Sequence, residues 1–271
     1  MTRRCHARSS LVALLFAAAA GTVLADEPES GASSFRFLNY NIHHGAGTRG
    51  EVNIARTARV IRESVADVAT LQEIDRGVRR SGRVDQVRRL EELTGMTVIF
   101  GETLSEYQGG RYGLATLTRH PVLSTERHFI PHSPGEEPRM VLEVVVELPG
   151  GARLTVLNTH WDDVFTPGLA GRQARAVIGL VRKRQGPLVL GGDLNVLPQS
   201  SAYKALRAVL QDAFPGPRGA TYPARAPVVE LDYVLYRGEA GMQVETARVL
   251  PEKRASDHRP MQVDFELSRG Q

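Results

Sequence analysis

Asn41, Glu73, Asn158 with His160, Asp193 with Asn195, Asp232, and Asp257 with His258 each end or interrupt an apolar segment where packing alone would ask for Val or Leu. One such residue is ordinarily a turn or a satisfied core hydrogen bond. "GGDLN" (191–195) follows the apolar run 187–190, and Asp and Asn readily close turns on their own backbone. Six such groups are hard to assign to turns, and strands running to one sheet edge would gather them into a single polar pocket. Carboxylates and carboxamides without thiolates make a hard oxygen site suited to Mg²⁺ or Mn²⁺. The histidines and a further Asp are left for phosphate contact and proton transfer. A metal that polarises a phosphoryl oxygen, beside a carboxylate that activates water, is the chemistry of phosphoester hydrolysis. No H-E-x-x-H or paired-cysteine pattern points to zinc. Adjacent residues of a strand face opposite ways, so His43-His44 is expected to line the pocket or lie on the surface rather than ligate metal.

The elements that must carry these groups are legible as apolar runs. Strands are expected over 35–42, 68–71, 97–100, 114–118, 140–148, 153–159, 187–190, 231–236, 246–250 and 260–267. Pro149-Gly150-Gly151 marks a hairpin. Helices are expected at Ile54, Ala58, Ile61 and Val65, at Val87, Leu90 and Leu93, and at Ala170, Ala174, Val177 and Val181, with a fourth around Leu206 to Leu210. Hairpins mixed with strand-helix-strand units are satisfied by two sheets packed face to face with helices outside.

Residues 1–25 read as a secretory signal peptide: Arg3, Arg4 and Arg8 precede an apolar stretch from Leu11 to Leu24, ending in Val-Leu-Ala before Asp26-Glu27. The mature chain would then hold a short tail, 26–34, and one domain, 35–271, with no membrane span, exported to the periplasm or outside the cell. Loss of the leader's three Arg takes the net charge from +4 to +1, which weakens the case for a polyanion partner. Arg79, Arg80, Arg83, Arg88 and Arg89 read as a solvated helical face. The one cysteine, Cys5, lies in the leader, so neither a disulfide nor thiol chemistry is expected.

The stretches "NYNIHHG" (39–45), "LQEID" (71–75), "YQGGRYG" (107–113), "LNTHWD" (157–162), "GGDLN" (191–195), "TYP" (221–223), "LDYVL" (231–235) and "SDHRP" (256–260) resemble, in order, the endonuclease/exonuclease/phosphatase superfamily. The resemblance spans about residues 35–267 and is specific for fold and reaction class rather than for substrate. It implies an α+β, four-layer αββα sandwich with two mixed β-sheets, and a Mg²⁺- or Mn²⁺-dependent phosphoesterase. By the same resemblance Asn41 and Glu73 hold the metal, with Asp257 an additional ligand. Asp193 orients or deprotonates the attacking water, and Asn195 holds it in line with the phosphoryl oxygens. His258, oriented by Asp232, contacts the scissile phosphate, and His160 assists phosphate binding or leaving-group protonation. Tyr112 and Arg139 are candidate substrate contacts, although a Tyr before a strand and an Arg on an edge are also ordinary surface residues. Bacterial secreted relatives commonly have Asn where this chain has Leu114; lining the pocket, Leu114 would favour an apolar leaving group.

The expected substrate is a small organic or lipid-linked phosphodiester, hydrolysed by a monomer. A secreted nuclease acting on DNA or RNA is the alternative, disfavoured by the modest charge and the lack of aromatics interleaved with Lys or Arg. A phosphomonoesterase, or a non-catalytic binding protein on the same fold, completes the set. Loss of any one of Asn41, Glu73, His160, Asp193 or His258 would have favoured the last, and all are present.

Overall fold

The computed structural model describes Met1 and residues 33–268 apart from 164, 165, 167, 215, 217 and 218; residues 2–25 of the expected leader and 26–32 of the tail lie outside the described residues. The elements run β1 (Ser33–Asn41), α1 (Ile54–Ser64), β2 (Val68–Arg76), α2 (Gln86–Thr94), β3 (Thr97–Tyr107), β4 (Gly110–Thr118), β5 (Val122–Ile130), β6 (Arg139–Glu147), β7 (Arg153–His160) and α3 (Leu169–Lys183). They continue with β8 (Leu188–Asp193), α4 (Ser201–Arg207), β9 (Gln211–Asp212), β10 (Asp232–Tyr236), β11 (Met242–Val249) and β12 (Met261–Leu267). Sheet one has the strand order β11-β12-β1-β2-β4-β3 and sheet two β5-β6-β7-β8-β10-β9. Each is mixed: β1 and β2 pair in parallel, as do β7 and β8, and the other pairings are antiparallel.

Three apolar clusters define the layers. Phe35, Phe37, Val144, Val156 and Val263 fill the space between the sheets. Ile54, Ala58 and Ile61 of α1 and Leu90 of α2 pack on the outer face of sheet one. Ala174, Val177 and Val181 of α3 and Leu206 of α4 cover sheet two. This is the α+β, four-layer αββα sandwich expected from the sequence, each buried aliphatic side chain contributing about 1.5–3 kcal/mol. The helices start where local chemistry dictates: Asn53, Asp85 and Ser200 accept from the backbone N–H three residues on, capping α1, α2 and α4. Among the described residues no helix is long and apolar enough to cross a membrane.

Several strands exceed their apolar runs. β5 has no such run because it is an edge strand exposed over most of its length. β3 continues past Phe100 to Tyr107 and turns into β4 through Gln108 and Gly109, both at positive φ. β11 begins at Met242 rather than Thr246, and α4 ends at Arg207, short of Leu210.

A polar layer ties the sheets together just below one end of the sandwich. Asn158 of β7 donates to the carbonyls of Leu71 (3.0 Å) and Ala115 (2.9 Å) in sheet one and accepts from Gln72 (2.8 Å). Asn39 of β1 donates to Gly192 O in sheet two (3.3 Å) and accepts from Thr70 and Gln72. All are fully buried. A Cβ on Gly191 would collide with Thr70 and Phe37, so β8 approaches sheet one too closely for any side chain there. Asn158→Ala orphans two buried carbonyls and is expected to cost about 3 kcal/mol or more. Urea denaturation should show a lower midpoint at an unchanged slope; an unchanged midpoint would mean the layer contributes nothing.

Candidate active site

Strand register assembles the site. β7 and β8 are parallel and end together, so His160 pairs with Asp193; β10 runs antiparallel to β8, so its first residue, Asp232, also pairs with Asp193. His160, Asp193 and Asp232 therefore form one row across sheet two. Sheet one presents Asn41, the last residue of β1, and Glu73, which sits in a bulge where the β2–β4 register shifts. Glu73 has φ +62°, a conformation that costs a non-glycine residue about 1–2 kcal/mol and that bulges use to re-aim side chains. Asp257 and His258 come from the loop before β12, tied to β1 by Ser256 Oγ donating to Asn41 O (2.8 Å).

The groups converge. Asn41 Nδ2 donates to Glu73 Oε1 and to Asp193 Oδ2, both at 3.0 Å, linking the two sheets' carboxylates. His258 Nδ1 lies 2.8 Å from Asp232 Oδ2, and its Nε2 is 3.6 Å from Asp193 Oδ2. Burial alone would strip the proton from His258, but Asp232, Asp193 and Asp257 together push its pKa up to about 10. Asp193, fully buried and near Asp232, has its carboxyl raised above the usual range, against the opposing pull of His258 and the hydrogen bonds from Asn41 and Asn195. Asn195 N–H donates to Asp193 Oδ1 (3.0 Å), while its Nδ2 donates to Trp161 O (3.0 Å) and meets His160 Nε2 at 3.2 Å. Since that amide nitrogen can only donate, His160 Nε2 accepts and the ring is neutral. Burial and the neighbouring Arg139 charge agree, lowering the His160 pKa to about 3. Of the two histidines, His258 carries the charge.

Glu73 and its surroundings fit a hard cation. Burial would raise its carboxyl, yet His44, His160, Asn41 and His43 outweigh burial and hold it well below the usual carboxylate range. Its Oε2 makes no hydrogen bond among the described residues, and His44 Nδ1 stands 3.7 Å from it. An ionised, partly exposed carboxylate oxygen without a donor, beside a carboxamide, matches the donor chemistry of Mg²⁺ or Mn²⁺. Asp257 is placed elsewhere: its Oδ1 is 3.7 Å from His43 Nδ1 and accepts from Ser256 Oγ.

The structure corrects three sequence expectations. His43 and His44 are not on a strand but in a 3-10 turn at φ +46° and +43°, so their rings do not diverge; they meet edge to face at 4.4 Å and link Asp257 to Glu73. Gly45 at the end of that turn was the available signal. Leu114 does not line the cleft: it is 2% exposed and belongs to the inter-sheet core with Phe37, Met140 and Leu142. Tyr112 and Arg139 are not surface residues. Tyr112 lies within β4, buried over the Arg80 guanidinium (5.1 Å), which is itself held by Asp75. Arg139, 6% exposed, faces Glu137 (3.1 Å) and Asp162 (3.6 Å), yet its Nε and Nη1 lack well-aligned acceptors. Glu137 and Asp162 are site neighbours that the sequence reading did not single out. A cavity of about 620 Å³ shares Asn195 and Asp162 with the site and is bounded further out by Leu169, Ala170, Val196 and Leu197.

A family model described as the endonuclease/exonuclease/phosphatase family matches residues 38–258. Solved structures with the same fold include an endonuclease/exonuclease/phosphatase from Beutenbergia cavernae DSM 12333, 26% identical over 87% of this chain and 72% of that one, with a TM-score of 0.70. A mannosyl-6-phosphatase from Bacteroides thetaiotaomicron VPI-5482 is 18% identical, covering 85% of this chain and 99% of that one at a TM-score of 0.69. The human Nocturnin catalytic domain with bound sulfate is 20% identical, covering 86% and 93% at a TM-score of 0.67.

Proposed function

The chain belongs to the endonuclease/exonuclease/phosphatase family, and from that premise we propose a divalent-metal-dependent phosphoesterase that hydrolyses a small organic or lipid-linked phosphodiester. The observation that carries this reading is the buried row His258–Asp193–Asp232, joined through Asn41 to Glu73. It sets a proton acceptor, a fixed imidazolium and a candidate cation site around one cleft. Asp193 takes the proton of the attacking water, and Asn195, braced on Trp161 O, holds that water in line. The charged His258 faces the phosphoryl oxygens, with Asp232 fixing its ring. Arg139, with guanidinium N–H groups to spare, contacts the phosphate, and the neutral His160 accepts or relays hydrogen bonds beside it. Asn41 and Glu73 would hold the cation, joined by Asp257 if it turns from His43; when bound, Mg²⁺ or Mn²⁺ supplies the charge that polarises a phosphoryl oxygen.

The cavity shared with Asn195 supports a discrete leaving group with an apolar body. The leader-like residues 1–25 support export to the periplasm or beyond.

Turnover of bis-p-nitrophenyl phosphate is expected with Mg²⁺ or Mn²⁺ and lost in excess EDTA; full activity in chelator would sink the metal mechanism. Glu73→Gln should raise the Mg²⁺ needed for half-maximal rate by about tenfold or more, and saturating Mg²⁺ should recover much of the rate. Plasmid DNA consumed without turnover of small diesters would make the protein a nuclease instead.

A further inference from the structure

Near the loop that carries Asp257 lies a cavity of about 590 Å³ whose walls carry Arg49, Arg56, Arg59, Arg225, Lys253 and Arg254, with Glu51 as the one carboxylate among its lining residues. The residues come from three stretches far apart in sequence, and the fold alone brings them together. Arg56 is paired with Glu51 (3.0 Å) and Arg59 with Glu63 (3.8 Å). Arg49, Arg225, Lys253 and Arg254 form no ion pair with any described residue. Glu252, the nearest carboxylate along the chain, turns its Oε1 to the backbone N–H groups of Lys253, Arg254 and Ala255.

The wall is braced. Thr48 donates through its N–H to Arg254 O and through its hydroxyl to Lys253 O, both at 3.1 Å, and Arg56 Nη1 donates to Arg254 O at 3.3 Å. A Cβ on Gly47 would collide with Arg254 O and Arg56, so only glycine permits this approach. The wall is also continuous with the active site. Arg254 precedes Asp257 by three residues, at most ~10 Å of chain. Ala224, next to Arg225, donates its N–H to Asp257 O. Thr48 lies five residues beyond His43.

We propose that this cavity is a second phosphoryl subsite, which binds a non-scissile phosphate carried by a small substrate while the scissile ester sits at Asp193. The proposal rests on the phosphoesterase reading of the centre. Unpaired guanidinium groups around a braced, concave wall offer the forked, charge-assisted hydrogen bonds that phosphate accepts. A compact cavity beside the centre suits a single extra phosphate better than a long polyanion, which would need an extended track.

The test uses two chromogenic diesters: the p-nitrophenyl ester of thymidine 5′-monophosphate, and the same compound bearing a 3′-phosphate. With Mg²⁺, the second phosphate is expected to lower KM by about tenfold or more. In the double variant R225E/R254E the ratio of the two KM values should collapse toward one. Equal KM values in the wild type, or an advantage that survives the double variant, would overturn the subsite. Neither side chain bonds within the described fold, so the substitutions leave packing alone. Calorimetry in chelator provides a reading without turnover: thymidine 3′,5′-bisphosphate should bind more tightly than thymidine 5′-monophosphate, and the double variant should lose the difference. Absence of that difference in the wild type overturns the subsite. If the difference holds but neither ester is cleaved with any divalent cation, the subsite stands and the phosphoesterase reading falls. Plasmid degradation with the same dependence on Arg225 and Arg254 would overturn the small-molecule source of the phosphate.

Discussion

Asp193→Asn is expected to lower kcat on a phosphodiester by about 10²–10⁴-fold at every Mg²⁺ concentration. The substitution keeps the side chain's size and its oxygen toward Asn195 N–H, now 3.0 Å away, but removes the carboxylate placed between Asn41 and the imidazolium of His258. A neutral amide takes no proton from water, so extra metal cannot compensate. The contrast with Glu73→Gln, where saturating metal recovers much of the rate, separates activating water from holding the cation. Recovery of Asp193→Asn to within tenfold of wild type at high Mg²⁺ would refute the division of roles. A carboxyl whose folded pKa is raised above its unfolded value costs stability as pH climbs from its ordinary range through the folded pKa. Asn removes that cost but sets its Nδ2 against Asn41 Nδ2, the donor that Asp193 Oδ2 accepts, so the variant's Tm should lose this part of its pH dependence.

Asp232→Asn should reshape the pH profile. In the wild type the active form has Asp193 ionised and His258 protonated. Both pKa values are raised, so the window of activity is displaced toward alkaline pH, with its upper limb near 10. Rate rises with pH as Asp193 loses its proton and falls as His258 loses its own. Against the burial that disfavours it, the His258 charge leans most on Asp232. Without that carboxylate the His258 pKa falls, since only Asp193 and Asp257 then oppose burial, and the protonated fraction on the alkaline side falls with it. The variant's optimum should move acidward, and lowering the pH should recover part of the lost rate. An alkaline limb unchanged from wild type would show that Asp232 does not set the His258 charge.

The sequence carried the catalytic positions because each stands at the end of an apolar run, and a strand's alternation makes a polar terminus conspicuous. Asn41, His160, Asp193 and Asp232 all lie at strand ends in the structure. Asn158 was visible by the same signal, but its work is to pin one sheet to the other. What escaped depended on geometry that composition does not encode. The tight turn at His43 and His44 requires two non-glycine residues at positive φ, which strand periodicity cannot anticipate. The motif resemblance puts Leu114 at the pocket, yet its side chain belongs to the inter-sheet core; Tyr112, two residues earlier on the same face, is the one that feels the charges of Glu73 and Arg139. The basic cavity was invisible because net charge averages over a chain whose relevant cations lie between Arg49 and Arg254.

The position of β12 has a consequence for how the molecule comes into being. Among the described residues the last strand, β12, is not at an edge but second in sheet one, between β11 and the first strand, β1, with Ser33 opposite Leu267. Until it arrives, β1 lacks its antiparallel neighbour, and the loop bearing His258 has no strand to end on. Pairings between the two ends of a chain are slow to close, because most of the loop entropy is spent before the contact forms. At roughly 5–20 residues per second of synthesis, a nascent chain spends tens of seconds with β1 made and β12 unmade. Closing β12 against β1 thus completes the frame of sheet one and, in the same event, seats the loop that carries Asp257 and His258.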